Sequence, residues 1–288
     1  MTSMAASLRD RLSAGPALMA PGAYDPLSAR MVELAGFEAV YLTGGGFARA
    51  QGFPDMGLVT LSESVEHVAR VADTVTIPVI ADLDTGYGNA LNVVRSVRAF
   101  ERAGAAAFHI EDQVYPKKCG HYEGKGVIEA KEMIGKIHAA VDTRTTDAVI
   151  IARTDARAVE GLDSAIERVG RYLDAGADLG FVEAPQSRDE LRAITTREPR
   201  AAMANIFEGG KTPFVGLEEL TEWGYRLIIY PSQTHRAALG AIAGVLAAMR
   251  ANGSTTDYQG RLVSFPEREE LVGTAEWYKW ESLYGAGA

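Results

Sequence analysis

Eight short apolar runs, each followed by a helical stretch, limit what this chain can fold into more than any other feature. They fall at residues 17–20, 39–42, 77–81, 106–110, 148–152, 179–182, 201–204 and 226–230. Runs of this length that stay apolar rather than alternating read as strands buried on both faces, the pattern of a parallel sheet. Between them the period changes. Leu162, Ala165, Ile166, Val169 and Leu173 share one helical face, and Leu239, Ile242, Leu246 and Met249 share another. Ala-Gly pairs at 35–36, 103–104 and 175–176, with Trp223-Gly224, sit where a C′ glycine ends a helix before the next strand. Strand and helix alternating eight times predict an α/β fold, a (β/α)8 TIM-type barrel, ahead of a doubly wound open sheet.

With 288 residues, the chain suits one barrel domain over 1–288, since barrels of ~250 residues fold as one unit. An extra C-terminal helical segment, about 257–288, follows a last barrel helix near 234–251. It contains Glu276-Trp-Tyr-Lys-Trp280 and Tyr284, too aromatic for a solvated tail, so it packs either on its own barrel or against a neighbouring subunit.

Charge and composition exclude other classes. There are 29 Lys+Arg against 38 Asp+Glu and no basic stripe, so nucleic acid is not an expected partner. No run of ~18 apolar residues offers a membrane span. A single cysteine and an N-terminus with Arg9, Asp10 and Arg11 but no apolar core of a signal predict a cytoplasmic protein.

The polar residues gather at the ends of the predicted strands, where barrel active sites form. The second ends in Tyr41-Leu-Thr-Gly-Gly-Gly46, either a flexible glycine turn or a place where backbone N–H groups approach an anion. The third ends in Asp82-Leu-Asp84, two carboxylates on one face, which either cap the next helix or share a hard cation. Glu111, after the fourth, adds a third acid, and an all-oxygen set favours Mg²⁺ over Zn²⁺. Lys117-Lys-Cys-Gly-His121 follows. There the cationic neighbours are expected to lower the Cys119 pKa and fit it as nucleophile or acid/base. Arg153, Glu183, Asn205, Glu208 and Arg236 complete the rim, with arginines suited to carboxylates. The composite is an enzyme acting on a small anionic carboxylate.

Asp82-Leu-Asp-Thr-Gly-Tyr-Gly88, His109-Ile-Glu-Asp-Gln113 and the Lys-Lys-Cys-Gly-His loop resemble the isocitrate lyase/phosphoenolpyruvate mutase superfamily, over about residues 9–280. The likeness is to its branch of 2-methylisocitrate and 2,3-dimethylmalate lyases, petal death protein and carboxyphosphonoenolpyruvate mutase. It implies Mg²⁺, with Mn²⁺ as substitute, at Asp82 and Asp84 with Glu111. It implies substrate contacts from Tyr41, Thr43, Gly44, Gly45, Arg153, Glu183, Asn205 and Arg236, with Asp55 bordering the site. It also implies a homotetramer, a dimer of dimers, that exchanges C-terminal helices.

The implied reaction is C–C cleavage of a 2-hydroxy acid to a 2-oxo acid such as pyruvate. Cys119 would protonate the leaving carbanion, tuned by His121 and Lys117, and either Tyr41 or a metal-linked carboxylate would be the base. Phe207-Glu-Gly-Gly210 departs from the Thr-Glu-Phe-Gly of methylisocitrate lyases, and Pro231-Ser-Gln-Thr-His235 from their Pro-Leu-Ser-Ala-Phe. Both shift the expectation toward a smaller 2-hydroxy dicarboxylate. Oxaloacetate hydrolase or decarboxylase and phosphonomutase chemistry are the alternatives on the same scaffold.

Overall fold

A computed structural model describes residues 3–285. Its sheet is a closed, all-parallel barrel of β1 (Leu18–Ala23), β2 (Val40–Leu42), β3 (Val79–Asp82), β4 (Ala107–Glu111), β5 (Val149–Thr154), β6 (Leu179–Val182), β7 (Met203–Asn205) and β8 (Leu227–Tyr230). β8 returns to pair with β1, with Met19 opposite Ile228. Each of the eight expected runs overlaps a strand.

β4, β5 and β6 are buried at every residue, because one face looks into the barrel and the other meets a helix. The helix Leu162–Asp174 turns the predicted face of Ala165, Ile166, Val169 and Leu173 into the core. It lies so close to β6 that a Cβ at Gly180 would come within 2.7 Å of Val169 and 2.9 Å of the Ala201 backbone. The four expected helix-ending glycines, Gly36, Gly104, Gly176 and Gly224, all take left-handed φ angles between 86° and 105°.

Residue packing divides the chain into two units, 1–234 and 235–288. The first holds the barrel. The second holds most of the helix Gln233–Asn252, a 3₁₀ turn Thr256–Arg261, and the helices Phe265–Leu271 and Thr274–Tyr284. The expected C-terminal segment is therefore helical, and its last residues, 286–288, lie outside the described residues. No described residue of these four elements is buried, so Leu239, Ile242, Leu246 and Met249 stand half exposed. Among the described residues no helix is long and apolar enough to cross a membrane.

Candidate active site

The C-terminal ends of the strands carry two clusters of acids, each around one cation. In the first, Lys117 Nζ lies 2.6 Å from Asp55 Oδ1 and 2.6 Å from Asp84 Oδ1, with all three residues buried. Asp84 sits in a tight turn after β3 at φ 48°, unusual for a residue with a side chain, and its N–H donates to Asp82 Oδ1 at 3.0 Å. Burial pushes the Asp84 carboxyl up to about 7, against the pull of Lys117 and with Asp82 and Asp55 adding to the rise.

The glycines after β2 make room for these acids. A Cβ at Gly44 would stand 2.6 Å from Asp82 Oδ2, and one at Gly45 2.8 Å from Asp55 Oδ2. Thr43 starts the helix Gly44–Ala50, its hydroxyl accepting the Gly46 N–H at 3.1 Å. The turn is thus a fixed platform, and Gly44, Asp55, Asp82, Asp84 and Lys117 line one cavity.

The second cluster surrounds Arg153. Asp155 grips its guanidinium through two bonds of 2.9 and 3.1 Å, Glu111 Oε2 lies 3.2 Å from Nη1, and Glu183 Oε2 lies 3.5 Å from Nη2. Asp155 is anchored in turn. Asp112 accepts its backbone N–H at 2.9 Å while also taking bonds from the hydroxyls of Thr154 and Tyr172. Asn205 Nδ2 lies 3.4 Å from both Glu183 oxygens, leaving its own Oδ1 buried without a partner.

A loop over the barrel mouth joins the clusters. Its base is pinched by the Gln113–Val127 bridge and by Gln113, whose side chain binds both backbone groups of Lys118. The Cys119 N–H donates to the Asp55 carbonyl at 3.1 Å. Gly120 is pressed on the second cluster, where a Cβ would meet Glu183 at 2.5 Å and Arg153 Nη2 at 2.7 Å. His121 Nε2 stands 3.2 Å from Glu183 Oε1, off the line of a good hydrogen bond.

Two expectations about proton transfer need correction. Cys119 is not activated toward thiolate: burial pushes its thiol up, and Asp55 adds to the rise. Lys117 is taken up by two aspartates, and Lys118 Nζ turns away to the Gly124 carbonyl, so the adjacent cations do not serve the sulfur. Tyr41 fits poorly as a base. Its hydroxyl lies inside the barrel, 2.8 Å from His109 Nε2, and burial raises its pKa well above the ordinary value. His109, pushed down to about 4 by burial, is neutral there and stands 3.6 Å from Asp82 Oδ1.

The acids suit a hard cation in one way and not in another. Among the described residues no group of three or more His, Cys, Asp or Glu side chains converges on one point. Glu111, expected beside Asp82 and Asp84, points instead to Arg153, its partner across the β4–β5 register. That leaves Asp82 and Asp84 on a shared cavity, with Glu111 Oε1 buried and without a hydrogen-bond partner. Magnesium commonly takes one or two carboxylates and completes its shell with water, so this donor set fits it better than a zinc cage. Arg236 belongs to the second unit, in the first turn of the helix Gln233–Asn252.

Asp155, two residues beyond Arg153 at the end of β5, is legible in the sequence as one of the rim acids. Arg49 is not, and sequence reasoning passed over it. Its guanidinium bonds the Gly45 carbonyl at 2.8 Å and reaches Tyr122 Oη of the loop at 3.4 Å, a contact across 73 positions of sequence.

Known proteins resemble this chain over nearly their whole length. The 2,3-dimethylmalate lyase of Eubacterium barkeri is 42% identical over 285 residues, covering 98% of this chain and 99% of its own. The 2-methylisocitrate lyase of Aeropyrum pernix is 44% identical over 272 residues, 94% and 88% of the two chains. A solved oxaloacetate acetylhydrolase, in complex with 3,3-difluorooxalacetate, superposes with a TM-score of 0.94 at 34% identity, covering 100% of this chain and 99% of that one. Residues 8–250 match the family described as phosphoenolpyruvate phosphomutase, and with the closed barrel and near full-length likeness the chain belongs to that family.

Proposed function

We propose that this protein is a Mg²⁺-dependent carbon–carbon lyase. Its substrate is a small 2-hydroxy di- or tricarboxylate of the 2,3-dimethylmalate or 2-methylisocitrate type, cleaved to a 2-oxo acid such as pyruvate and a second carboxylate. The observation that carries the reading is the packing of the Cys119 loop directly on Glu183 and Arg153, which buries the thiol and pushes its pKa up. Such a thiol is an acid waiting for a carbanion rather than a nucleophile.

Charge at the mouth supports the cation. Asp55, Asp82, Asp84, Glu111, Asp155 and Glu183 gather around two buried cations, Lys117 and Arg153, so a dianionic substrate meets an excess of acid. Asp82 and Asp84 would hold a divalent ion that offsets that excess and would supply Lewis-acid stabilisation of the charge developing on the oxo-acid fragment. Thr43, Gly44, Gly45, Asp55, Arg153, Glu183 and Asn205 would orient the substrate. A carboxylate of the Asp82–Asp84 pair takes the substrate's hydroxyl proton, and the oxygen's electrons form the new carbonyl. The broken C–C bond leaves its electron pair on the second fragment, to which Cys119 delivers its proton. Cys119 ends as a thiolate that solvent reprotonates.

The exposed aromatic side chains of the last helix, Trp277, Tyr278, Trp280 and Tyr284, support the homotetramer with exchanged C-terminal helices. Light scattering of the purified protein tests that state. We place the enzyme in the cytoplasm, where a lone thiol stays reduced.

The deciding experiment is pyruvate release, coupled to lactate dehydrogenase, from 2,3-dimethylmalate and 2-methylisocitrate with and without EDTA. EDTA-sensitive release is expected, and Cys119→Ser should lower kcat by ~10²–10⁴-fold with KM little changed. Unchanged turnover in that variant refutes the acid role. The likeness to oxaloacetate acetylhydrolase favours one second reading, hydrolysis of oxaloacetate, which oxalate release would reveal. Phosphonate signals in ³¹P NMR would reveal a phosphonomutase.

A further inference from the structure

We propose that the loop after β7, through the Phe207 ring and the Lys211 backbone amide, positions His121 against Glu183 and fixes which ring nitrogen carries its proton. The inference rests on the reading above for the place of His121 beside the catalytic thiol. Its geometry is independent of any substrate.

The Lys211 N–H points at His121 Nδ1 from 3.0 Å. A backbone amide can only donate, so Nδ1 must present a lone pair. In a neutral ring the proton then sits on Nε2, the nitrogen that faces Glu183 Oε1 at 3.2 Å. Without the amide, the ring could turn over and offer either nitrogen. Phe207 closes off that freedom, packing edge to face on the imidazole at 4.4 Å between centroids and 83° between planes.

The intervening glycines fit this task. A Cβ at Gly210 would stand 2.7 Å from the Phe207 ring, and Gly209 turns the chain at φ 81°, so the segment can bring ring and amide to the same imidazole. Lys211 Nζ adds a pair with Glu123 Oε1 at 2.5 Å, a second tie between the two loops. The run Phe207-Glu-Gly-Gly-Lys211 departs from the methylisocitrate lyase pattern. Here its contacts to the loop that carries Cys119 converge on His121 and on Glu123, two residues further along. Phe207 is therefore a positioning residue for the acid–base apparatus, in addition to any effect its bulk has on substrate size.

The test reads the tautomer directly. With Mg²⁺ present and no substrate, protein carrying ¹⁵N-labelled histidine is studied by long-range ¹H–¹⁵N NMR, with His121→Gln identifying the signals. The parent should show His121 protonated on Nε2. Lys211→Met, which keeps the amide, should preserve that state, and Lys211→Pro, which removes the N–H, should give a mixture of tautomers. A parent ring protonated on Nδ1, or Lys211→Pro with the parent's signals, overturns the proposal.

Should Lys211→Pro fail to fold, Phe207→Ala serves. There kcat should fall ~10-fold with KM moved less than ~2-fold, its pH profile should shift, and Phe207→Tyr should restore the parent's behaviour. Unaltered His121 signals together with unaltered kcat in Phe207→Ala overturn the inference. The expected tautomers in a protein that turns over none of the lyase substrates would refute the proposed activity and leave this inference standing.

Discussion

Lys117 and Arg153 are both buried cations among acids at the same barrel mouth, yet they are held in different ways. Arg153 rises from a strand, is gripped by Asp155 through two bonds, and faces Glu111 and Glu183 as well. Behind it Asp112 fixes Asp155, so the planar fork has one arrangement and backing for it. Lys117 comes from a loop, is a point charge on a flexible stem, and bridges two carboxylates that also line a cavity. The difference is between a planar counter-ion fixed from behind and a point charge shared by two carboxylates that line a cavity. A small cation can take over the work of an ammonium between two carboxylates, but nothing else offers the shape of the guanidinium.

Removing each cation tests that contrast. Arg153→Met would leave three buried acids facing one another, and breaking buried pairs of this kind costs ~5 kcal/mol at the upper end. Urea unfolding should show that loss, and added Mg²⁺ should not restore it. Lys117→Met should cost about 4 kcal/mol, because Asp55 and Asp84 lose their shared partner. Here millimolar Mg²⁺ should raise the unfolding midpoint of the variant more than that of the parent. Equal responses to Mg²⁺ in the two variants would erase the distinction between the clusters.

The same contrast marks how far the sequence could be read. Eight apolar runs and four helix-ending glycines specify a barrel because burial on both faces and a left-handed turn each demand particular residues. Asp82, Asp84, Glu111, Arg153 and Glu183 were legible as rim residues for the same reason, since they follow the apolar runs directly. Which acid each cation takes was not. Lys117 and Asp55 are 62 positions apart, and only folding shows that the lysine's charge is spent before it reaches the sulfur. The raised Cys119 thiol was hidden likewise, because a run of polar neighbours looks exposed and desolvation leaves no mark in a sequence. The Glu111–Arg153 pair could have been inferred, because adjacent parallel strands place those two residues opposite one another.

A third buried ionisable group shows what happens without a counter-ion. His67 packs face to face on Phe47, with ring centroids 3.8 Å apart, and its Nε2 is buried with no hydrogen-bond partner. Burial pushes its pKa from 6.5 down to about 4, with Asp25 opposing too weakly to hold the proton. Because the folded pKa lies below the unfolded one, the unfolded chain takes the proton first as pH falls. Stability from this residue is thus complete above pH 6.5, declines between 6.5 and 4, and levels off below. The whole loss is at most about 3 kcal/mol. His67→Phe keeps a ring on Phe47 and removes the titration, so urea unfolding of parent and variant should diverge through that window. Parallel curves would mean that His67 finds a proton partner in the folded state, and that burial at this barrel end does not by itself decide which groups stay charged.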